Sequence, residues 1–246
     1  ALPEGGETAN PISSFADLSL TNSTIAVGST TGGGTLKIQG GQVVFDNAFV
    51  SANTESGVGG TVIVGATNTL NVVNRGLIVS ATFGSGNAGV VNVEVGETLS
   101  ITSGGVISSD TFGLGNAGNV NVSVSETLTI VSGAVISSDT FGLGNAGSVT
   151  VSAANLSIDR QGANIVTGIF SQSNSGAIAD SQSGNAGSGN AGSVTIRVDE
   201  SLILNSGGLI SSSTFGSGDA GPVTVDAGNL SIDRQGANIV TGIFSQ

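Results

Sequence analysis

The 246-residue chain contains no Cys, His, Met, Trp or Tyr, and it has only 3 Pro. Without Cys the fold cannot be held by disulfides, and zinc sites built from Cys and His are excluded. The absence of His and Cys also removes the side chains that most often serve as general base or covalent nucleophile. We therefore expect no catalytic residues, no bound metal and no cofactor.

Basic residues are also scarce, with 5 Lys and Arg against 17 Asp and Glu and a net charge of -12. Nucleic acids and anionic membrane surfaces repel such a chain, so neither is an expected partner. No apolar run is long enough to cross a bilayer, so we expect no membrane-spanning segment. The first residues, ALPEGG, do not form a signal-peptide pattern. Any export signal is expected to have been removed or to lie outside this chain.

The chain is built on a repeat that is clearest in two consecutive copies. Residues 83–111 (FGSGNAGVVNVEVGETLSITSGGVISSDT) and 112–140 (FGLGNAGNVNVSVSETLTIVSGAVISSDT) are identical at 22 of 29 aligned positions. Apolar and polar residues alternate in short runs broken by Gly, Ser and Asn, which is typical of short β-strands joined by turns. Three such strands in each period predict an all-β fold, a parallel β-helix or β-solenoid of about seven coils.

A glycine before each Val-rich strand marks the start of each coil. These glycines are Gly34, Gly60, Gly89, Gly118, Gly147, Gly192 and Gly221. Their spacings are 26, 29, 29, 29, 45 and 29, so residues 147–191 form one long coil. We interpret the excess of 45 over 29 as a polar loop inserted at about 173–188.

The string LSIDRQGANIVTGIFSQ occurs twice, at 156–172 and at 230–246. The repeats therefore extend to Gln246, and we assign residues 34–246 to the solenoid. Residues 1–33 are interpreted as an N-terminal segment with a partial coil. Its expected buried positions are Leu18, Leu20, Ile25 and Val27.

One column of equivalent residues is aromatic. In six coils a Phe lies at the same distance from the starting glycine, namely Phe83, Phe112, Phe141, Phe170, Phe215 and Phe244. We expect these rings to form a buried or turn-covering stack that fixes the register, with neighbouring centroids about 4.5–7 Å apart. The alternative is an exposed aromatic strip that binds a glycan or a protein partner.

A second column lies in the turn G-N/D-A-G. Its members are Asn87, Asn116, Asn145 and Asn190, with Asp219 at the last place. Asn tolerates the left-handed backbone of tight turns, and stacked amides can bond to one another. We expect a structural ladder. No helix-forming pattern or Lys follows these turns, so they are not phosphate loops.

Acidic residues also form columns. Glu97 and Glu126 occupy one position in adjacent coils, and Asp110 and Asp139 occupy another. Like charges on adjacent strands repel each other, so a bridging cation such as Ca²⁺ is one alternative. We expect instead that both pairs lie in solvated turns. Two further pairs are expected to form weak surface ion pairs: Asp159–Arg160 and Asp233–Arg234.

Three strings taken together resemble a known family: GGGTLKIQGGQVVFDNAFVSANT (32–54), ETLSITSGGVISSDTFGLGNAGNV (97–120) and NLSIDRQGANIVTGIFSQ. They resemble the filamentous-haemagglutinin-like large exoproteins of Gram-negative bacteria, particularly cyanobacteria, over roughly residues 15–246. The resemblance implies a right-handed parallel β-helix, two-partner secretion, and a place at or outside the cell surface. It implies adhesion, aggregation or matrix building and carries over no catalytic residues. The family's NPNG-type secretion signature is not matched by Asn10-Pro11-Ile12, so the chain resembles a repeat section.

Our leading hypothesis is a non-catalytic, structural or adhesive fibre element that is secreted or displayed on the cell surface. The expected partner is a further array of the same coils, with surface glycans or matrix as additional partners. The alternative is a module that binds a glycan or cell surface through the inserted loop.

A polysaccharide-active enzyme is a third hypothesis, which the scattered positions of Lys37, Arg75 and Arg197 disfavour. An ice-binding face would need regular Thr ranks. The expected outward column is too mixed for that: Lys37, Ile63, Asn92, Asn121, Thr150, Thr195 and Thr224.

The last coil, ending at Gln246, is expected to leave strand edges and an apolar ring uncovered, including Leu230, Ile232 and Ile239. Such edges template association. Either further coils follow in the chain, or the N-terminal segment of a second subunit docks there and builds an open filament.

Overall fold

The computed structural model describes residues 15–174, 189–236 and 238–246. All regular structure in these residues is β-strand, and every strand pairing is parallel. Strands of successive coils pair one repeat period apart, for example Val91 with Val120. The predicted β-solenoid is therefore confirmed.

The strands form two sheets on different sides of the rod. The first sheet contains β1 (Leu18–Thr21), β3 (Thr35–Asp46), β5 (Thr61–Val73), β7 (Val91–Val95), β8 (Thr98–Ile101), β10 (Val120–Val124), β11 (Thr127–Val131), β13 (Val149–Asp159), β15 (Val194–Asn205) and β17 (Val223–Asp233). The second sheet contains β2 (Thr24–Ala26), β4 (Phe49–Ser51), β6 (Leu77–Thr82), β9 (Val106–Thr111), β12 (Val135–Thr140), β14 (Thr167–Ser173), β16 (Gly208–Thr214) and β18 (Gly242–Ser245).

Three separate strands occur in the coils that contain β7–β9 and β10–β12, as predicted. In the other complete coils the first two strands merge into one long strand, such as β5 or β13. A register irregularity near the middle of the merged strand, for example between Ala153 and Asn155, bends the chain there. The coils therefore differ in whether the strand is interrupted at this point, and the strands on either side keep their pairing with the adjacent coils.

The starting glycines stack as predicted, because adjacent coils approach closely at this column. A Cβ atom placed on Gly118 would lie only 1.8 Å from the carbonyl oxygen of Gly89. The turn between the two sheets has its own glycine requirement, because Ser103 and Gly104 both have positive φ angles, of 51° and 76°. Ser and Gly recur there at 132 and 133.

Alternating apolar residues of both sheets point inward and form one continuous core. In one regular coil Val91, Leu99, Ile101 and Ile107 are fully buried. The partial coil at the start of the described region contributes less. Its predicted core residues do pack against this core but are half-buried, because no described coil covers them: Leu18, Leu20, Ile25 and Val27.

The long coil differs from our expectation. Its turn between β13 and β14 spans residues 160–166, whereas the turn between β11 and β12 spans only 132–134. In the regular coils, hydrogen-bonded residues of adjacent coils are 29 positions apart in the sequence, for example Asn116 and Asn145. After the longer turn this separation is 33, between Asp139 and Gln172. It reaches 45 only later, between Asn145 and Asn190. Part of the additional length therefore lies in a turn that we treated as regular.

The predicted boundary of the inserted loop at residue 173 is wrong. Ser173 belongs to β14, is buried, and pairs with Thr140 on one side and Thr214 on the other. The amide of Asn174 donates to the Thr140 carbonyl at 2.7 Å. Residues 175–188 lie outside the described residues. The coil resumes at Gly189-Asn190 as predicted, since the Asn190 amide donates to Asn145 Oδ1.

Candidate functional site

The predicted aromatic stack exists for three rings. Phe83 and Phe112 have centroids 5.2 Å apart, and Phe112 and Phe141 have centroids 4.9 Å apart. The planes differ by only 7° and 5°, so the rings lie face to face along the rod axis. The constant register of β6, β9 and β12, which end immediately before the three Phe residues, causes this superposition.

The prediction that Phe170 and Phe244 belong to the same stack is wrong. Because the turn at 160–166 is longer, the same distance counted from Gly147 reaches the middle of β14. Phe170 pairs with Ser137 and Ser211, and Phe244 also pairs with Ser211. Phe170 is 3% exposed and forms no part of the main core, which contains its neighbour Ile169.

Phe215 follows Thr214, the partner of Ser173, so Asn174 lies between Phe215 and Phe141 in this column. The three-membered stack is not buried, which leaves the turn-covering form of our expectation. Phe83 is 56% exposed, whereas Phe112 and Phe141 are half-buried. Phe112 has a neighbouring ring on each face, so its outward part is the ring edge. We call these three stacked rings the aromatic ridge. Both faces of the central ring are covered, so a sugar cannot stack on an aromatic face at the centre of the ridge.

The Asn ladder is confirmed. Oδ1 of Asn87 accepts from the amide of Asn116 at 2.9 Å, and Oδ1 of Asn116 accepts from the amide of Asn145 at 2.8 Å. The same bond joins Asn145 to Asn190 and Asn190 to Asp219, each at 2.8 Å. These bonds satisfy turn amides that are outside the sheets, so the ladder fixes the coils to one another.

A buried serine ladder was not recognised in the sequence. Oγ of Ser138 donates to the Gly118 carbonyl at 2.6 Å and accepts from the Gly147 amide at 2.9 Å. Each serine thus bridges the starting glycines of two consecutive coils. The recurring Ser-Ser pair was the available signal, but its second Ser was not assigned inward. Equivalent bridges are made by Ser80, Ser109, Ser171 and Ser212.

The Asp110–Asp139 pair is not in solvated turns as expected, but at half-buried positions of β9 and β12. Burial raises the pKa of Asp110 to about 6. Hydrogen bonds donated by Ser108 Oγ and by the Asp139 amide lower this pKa, but their effect is smaller than that of burial. Burial and then the charge of Asp110 raise the pKa of Asp139 well above its ordinary value. The Asp139 amide donates to Asp110 Oδ1 at 3.1 Å, so a protein donor occupies one oxygen that a bridging cation would use.

The other charged pairs are simpler. Glu97 and Glu126 lie in exposed turns between strands, as expected. The predicted Asp159–Arg160 ion pair is wrong, because Arg160 Nε donates to the Ile165 carbonyl at 3.0 Å and Asp159 Oδ1 accepts from the Gln161 amide. Asp233 Oδ1 and Arg234 Nε make the same contacts in the last coil. These bonds hold the long turn together.

A shallow groove of about 350 Å³ lies on the outer face of the first sheet. One side is the predicted outward column, confirmed by the strand register, and contributes Lys37, Ile63, Asn92, Asn121 and Thr150. The adjacent column contributes Gln39, Gly65, Glu94, Ser123 and Ser152. Between them lies the strand backbone, so the groove crosses five coils.

The last coil presents an uncovered edge of the core. Leu230 and Ile232 of β17 are 51% and 46% exposed, whereas the equivalent Leu202 and Leu204 of β15 are fully buried. The third residue of the predicted exposed ring, Ile239, is half-buried. Inward residues are apolar in every coil, and those of the earlier coils are covered by the coil that follows. No described coil covers the inward residues of the last coil, so its edge is apolar and exposed.

Together these features of the described residues define a β-solenoid repeat protein whose surfaces include ladders, a stack of Phe rings, a groove and an apolar edge. Comparison with known proteins adds no family: no family model, curated protein or solved structure matches the chain. The haemagglutinin-like family therefore stays a prediction. The described residues include no helix that could cross a membrane and no group of three or more acidic residues placed to hold a metal ion.

Proposed function

We propose that the chain is a structural and adhesive element of an extracellular fibre, which lengthens by stacking coil on coil. The regular stacking of the coils carries this proposal, because every strand pairs in parallel with the equivalent strand of the next coil and the inward apolar residues form one continuous core. A coil of this kind binds a further coil readily, because both backbone groups and apolar side chains gain partners. The sequence strings that resemble haemagglutinin-like exoproteins support the extracellular setting and the adhesive role.

The two ends of the described rod are complementary in register. The column that ends at Leu230 begins at Leu18, and the column that ends at Ile243 begins at Ile25. A second copy placed with β1 on β17 and β2 on β18 would continue both columns. This head-to-tail contact uses two different surfaces, so it builds an open filament and no closed ring.

Electron microscopy and analytical ultracentrifugation of residues 1–246 test the proposal. We expect unbranched filaments whose length increases with protein concentration. The double substitution Leu230→Glu and Ile232→Lys places charges on the edge and should leave monomers. Leu114→Glu, at an exposed site on the side of the rod, is the matched control and should still form filaments.

Wild-type chains that stay monomeric at high concentration would contradict the proposal. Filaments that persist in the edge variant would show that association uses another surface, such as the aromatic ridge. The alternative of binding through the inserted loop concerns residues outside the described ones and stays a prediction. The third hypothesis, a polysaccharide-active enzyme, is not favoured, since Lys37 and Arg197 lie in different columns of the first sheet.

A further inference from the structure

We propose that the groove on the first sheet binds an extended, neutral oligosaccharide. The inference concerns the outer face of β3, β5, β7, β10 and β13 and does not depend on end-to-end stacking of the rod. It also differs from binding through the inserted loop, because none of the groove residues belongs to that segment.

The first argument is the repetition of polar groups. Asn92 and Asn121 are equivalent residues of adjacent coils, and so are Ser123 and Ser152. Adjacent parallel strands are about 4.8 Å apart, so amides and hydroxyls recur at this interval along the groove. A ligand that uses them in turn must itself repeat at a similar interval. An extended chain of pyranose rings does so, with about one ring for each coil.

The second argument is the hydrogen-bonding capacity that remains. Asn121 Nδ2 donates to Asn92 Oδ1 at 2.9 Å, and Ser152 Oγ donates to Ser123 Oγ at 3.2 Å. These bonds hold the side chains in place and leave Nδ2 of Asn92 and Oδ1 of Asn121 for a ligand. Amides and hydroxyls offer both donors and acceptors, which matches the hydroxyl groups of a sugar.

The third argument is shape. Gly65 contributes no side chain between Gln39 and Glu94, which leaves an opening in the groove at β5, next to the side chain of Gln39. Ile63 is half-buried beside this opening and supplies apolar surface. One face of a pyranose ring carries mainly C–H groups, so it fits against Ile63 while its hydroxyls point to the two columns. Binding sites commonly combine apolar surface with a few polar groups in this manner.

The charges of the groove and of the whole chain favour a neutral polymer over an anionic one. The groove contains one cation, Lys37, and one anion, Glu94, and the whole chain has a net charge of -12. A sulfated or uronic polymer would be repelled by this field, whereas a neutral glycan is not. An extended peptide is a poorer candidate, because peptides add to sheet edges and the groove lies on a sheet face whose backbone groups are already paired.

Calorimetric titration with cellohexaose and chitohexaose, and with cellobiose for length, tests the proposal. We expect a hexasaccharide to bind at least about tenfold more tightly than cellobiose, because only the longer chain reaches both ends of the groove. Gly65→Tyr should fill the groove and reduce the affinity at least about tenfold. A Cβ atom at Gly65 has its nearest neighbour at 3.6 Å, so the strand accepts a side chain there.

Ser100→Tyr is the matched control, since Ser100 lies half-buried on β8 outside the groove and its substitution should leave the affinity unchanged. The double variant Asn92→Ala and Asn121→Ala should weaken binding without filling the groove. Circular dichroism shows that each variant is folded. The proposal is overturned if neither hexasaccharide binds. It is also overturned if both groove variants bind like wild type, or if a heparin hexasaccharide binds more tightly than the neutral ones.

Discussion

The regular coils at residues 89–146 and the long coil at 147–191 use the same columns but bury their aromatic residues differently. In the regular coils short turns of four residues (102–105) and three residues (132–134) place Phe112 and Phe141 at the surface, stacked on each other. In the long coil a seven-residue turn shifts the register, and Phe170 becomes 3% exposed. The same residue at the same distance from its starting glycine thus has two roles, because the register depends on the length of the intervening turn.

The largest effect is expected from the aromatic residues themselves. Phe170→Ala should lower the free energy of unfolding by roughly 3–5 kcal/mol, because it removes a buried ring. Phe141→Ala should cost only about 1 kcal/mol, because the half-exposed ring loses one stacking contact. Guanidinium titration of both variants measures the difference. Equal losses would mean that the stack contributes as much as the buried ring, which would remove the distinction between the two coils.

The glycine column should behave alike in both regions. Gly118→Ala would place Cβ 1.8 Å from the Gly89 carbonyl oxygen, and Gly192→Ala would place it 2.1 Å from the Gly147 carbonyl oxygen. We expect each substitution to destabilise the rod by roughly 3 kcal/mol, because the coils must separate. Gly65→Ala is the control and should be neutral or slightly stabilising, since its nearest contact is 3.6 Å. A loss below about 1 kcal/mol at Gly118 would contradict the close approach of the coils.

The serine ladder provides a second feature common to both regions. Ser138→Ala leaves the Gly118 carbonyl and the Gly147 amide without their bridge, and Ser171→Ala does the same one coil further along. We expect each variant to lose about 1–3 kcal/mol of unfolding free energy. The exposed Ser123→Ala should change it by less than about 0.5 kcal/mol. Chemical denaturation that gives clearly different losses for Ser138 and Ser171 would show that the long turn weakens the ladder.

The smallest effect concerns the carboxyl pair, which joins the regular coils to the long one through the bond from the Gln172 amide to Asp139 Oδ1. The pKa of Asp110 in the folded rod is about 6, above the ordinary value of 3.8, so the folded state binds a proton more tightly than the unfolded chain. This contribution to stability is complete below the ordinary pKa and is lost as the pH rises through 6. Lowering the pH from about 7 to 5 should therefore raise the free energy of unfolding by about 1 kcal/mol.

Denaturant titrations at both pH values measure this dependence. The double variant Asp110→Asn and Asp139→Asn should lose most of it, since an amide does not titrate in this range. Glu126→Gln, in an exposed turn, is the control and should keep it. A wild-type rod that becomes less stable between pH 7 and 5 would contradict the raised pKa.

The sequence alone determined the period, the parallel solenoid, the starting glycines, the Asn ladder and the outward column. The residues that form these features repeat at a constant spacing in the sequence. When the coils stack in parallel, residues one period apart become neighbours in adjacent coils. Other features depend on the tertiary structure and could not be predicted from the repeat spacing. The length of the turn at 160–166 shifted Phe170 out of the aromatic stack, and Phe244 takes the equivalent position in β18. The fold also determined which of two adjacent serines points inward. It also half-buried Asp110 and Asp139 and left room for a side chain at Gly65, in contact with Gln39. Each of these depends on neighbours one coil away, so the chain must be folded before they are fixed.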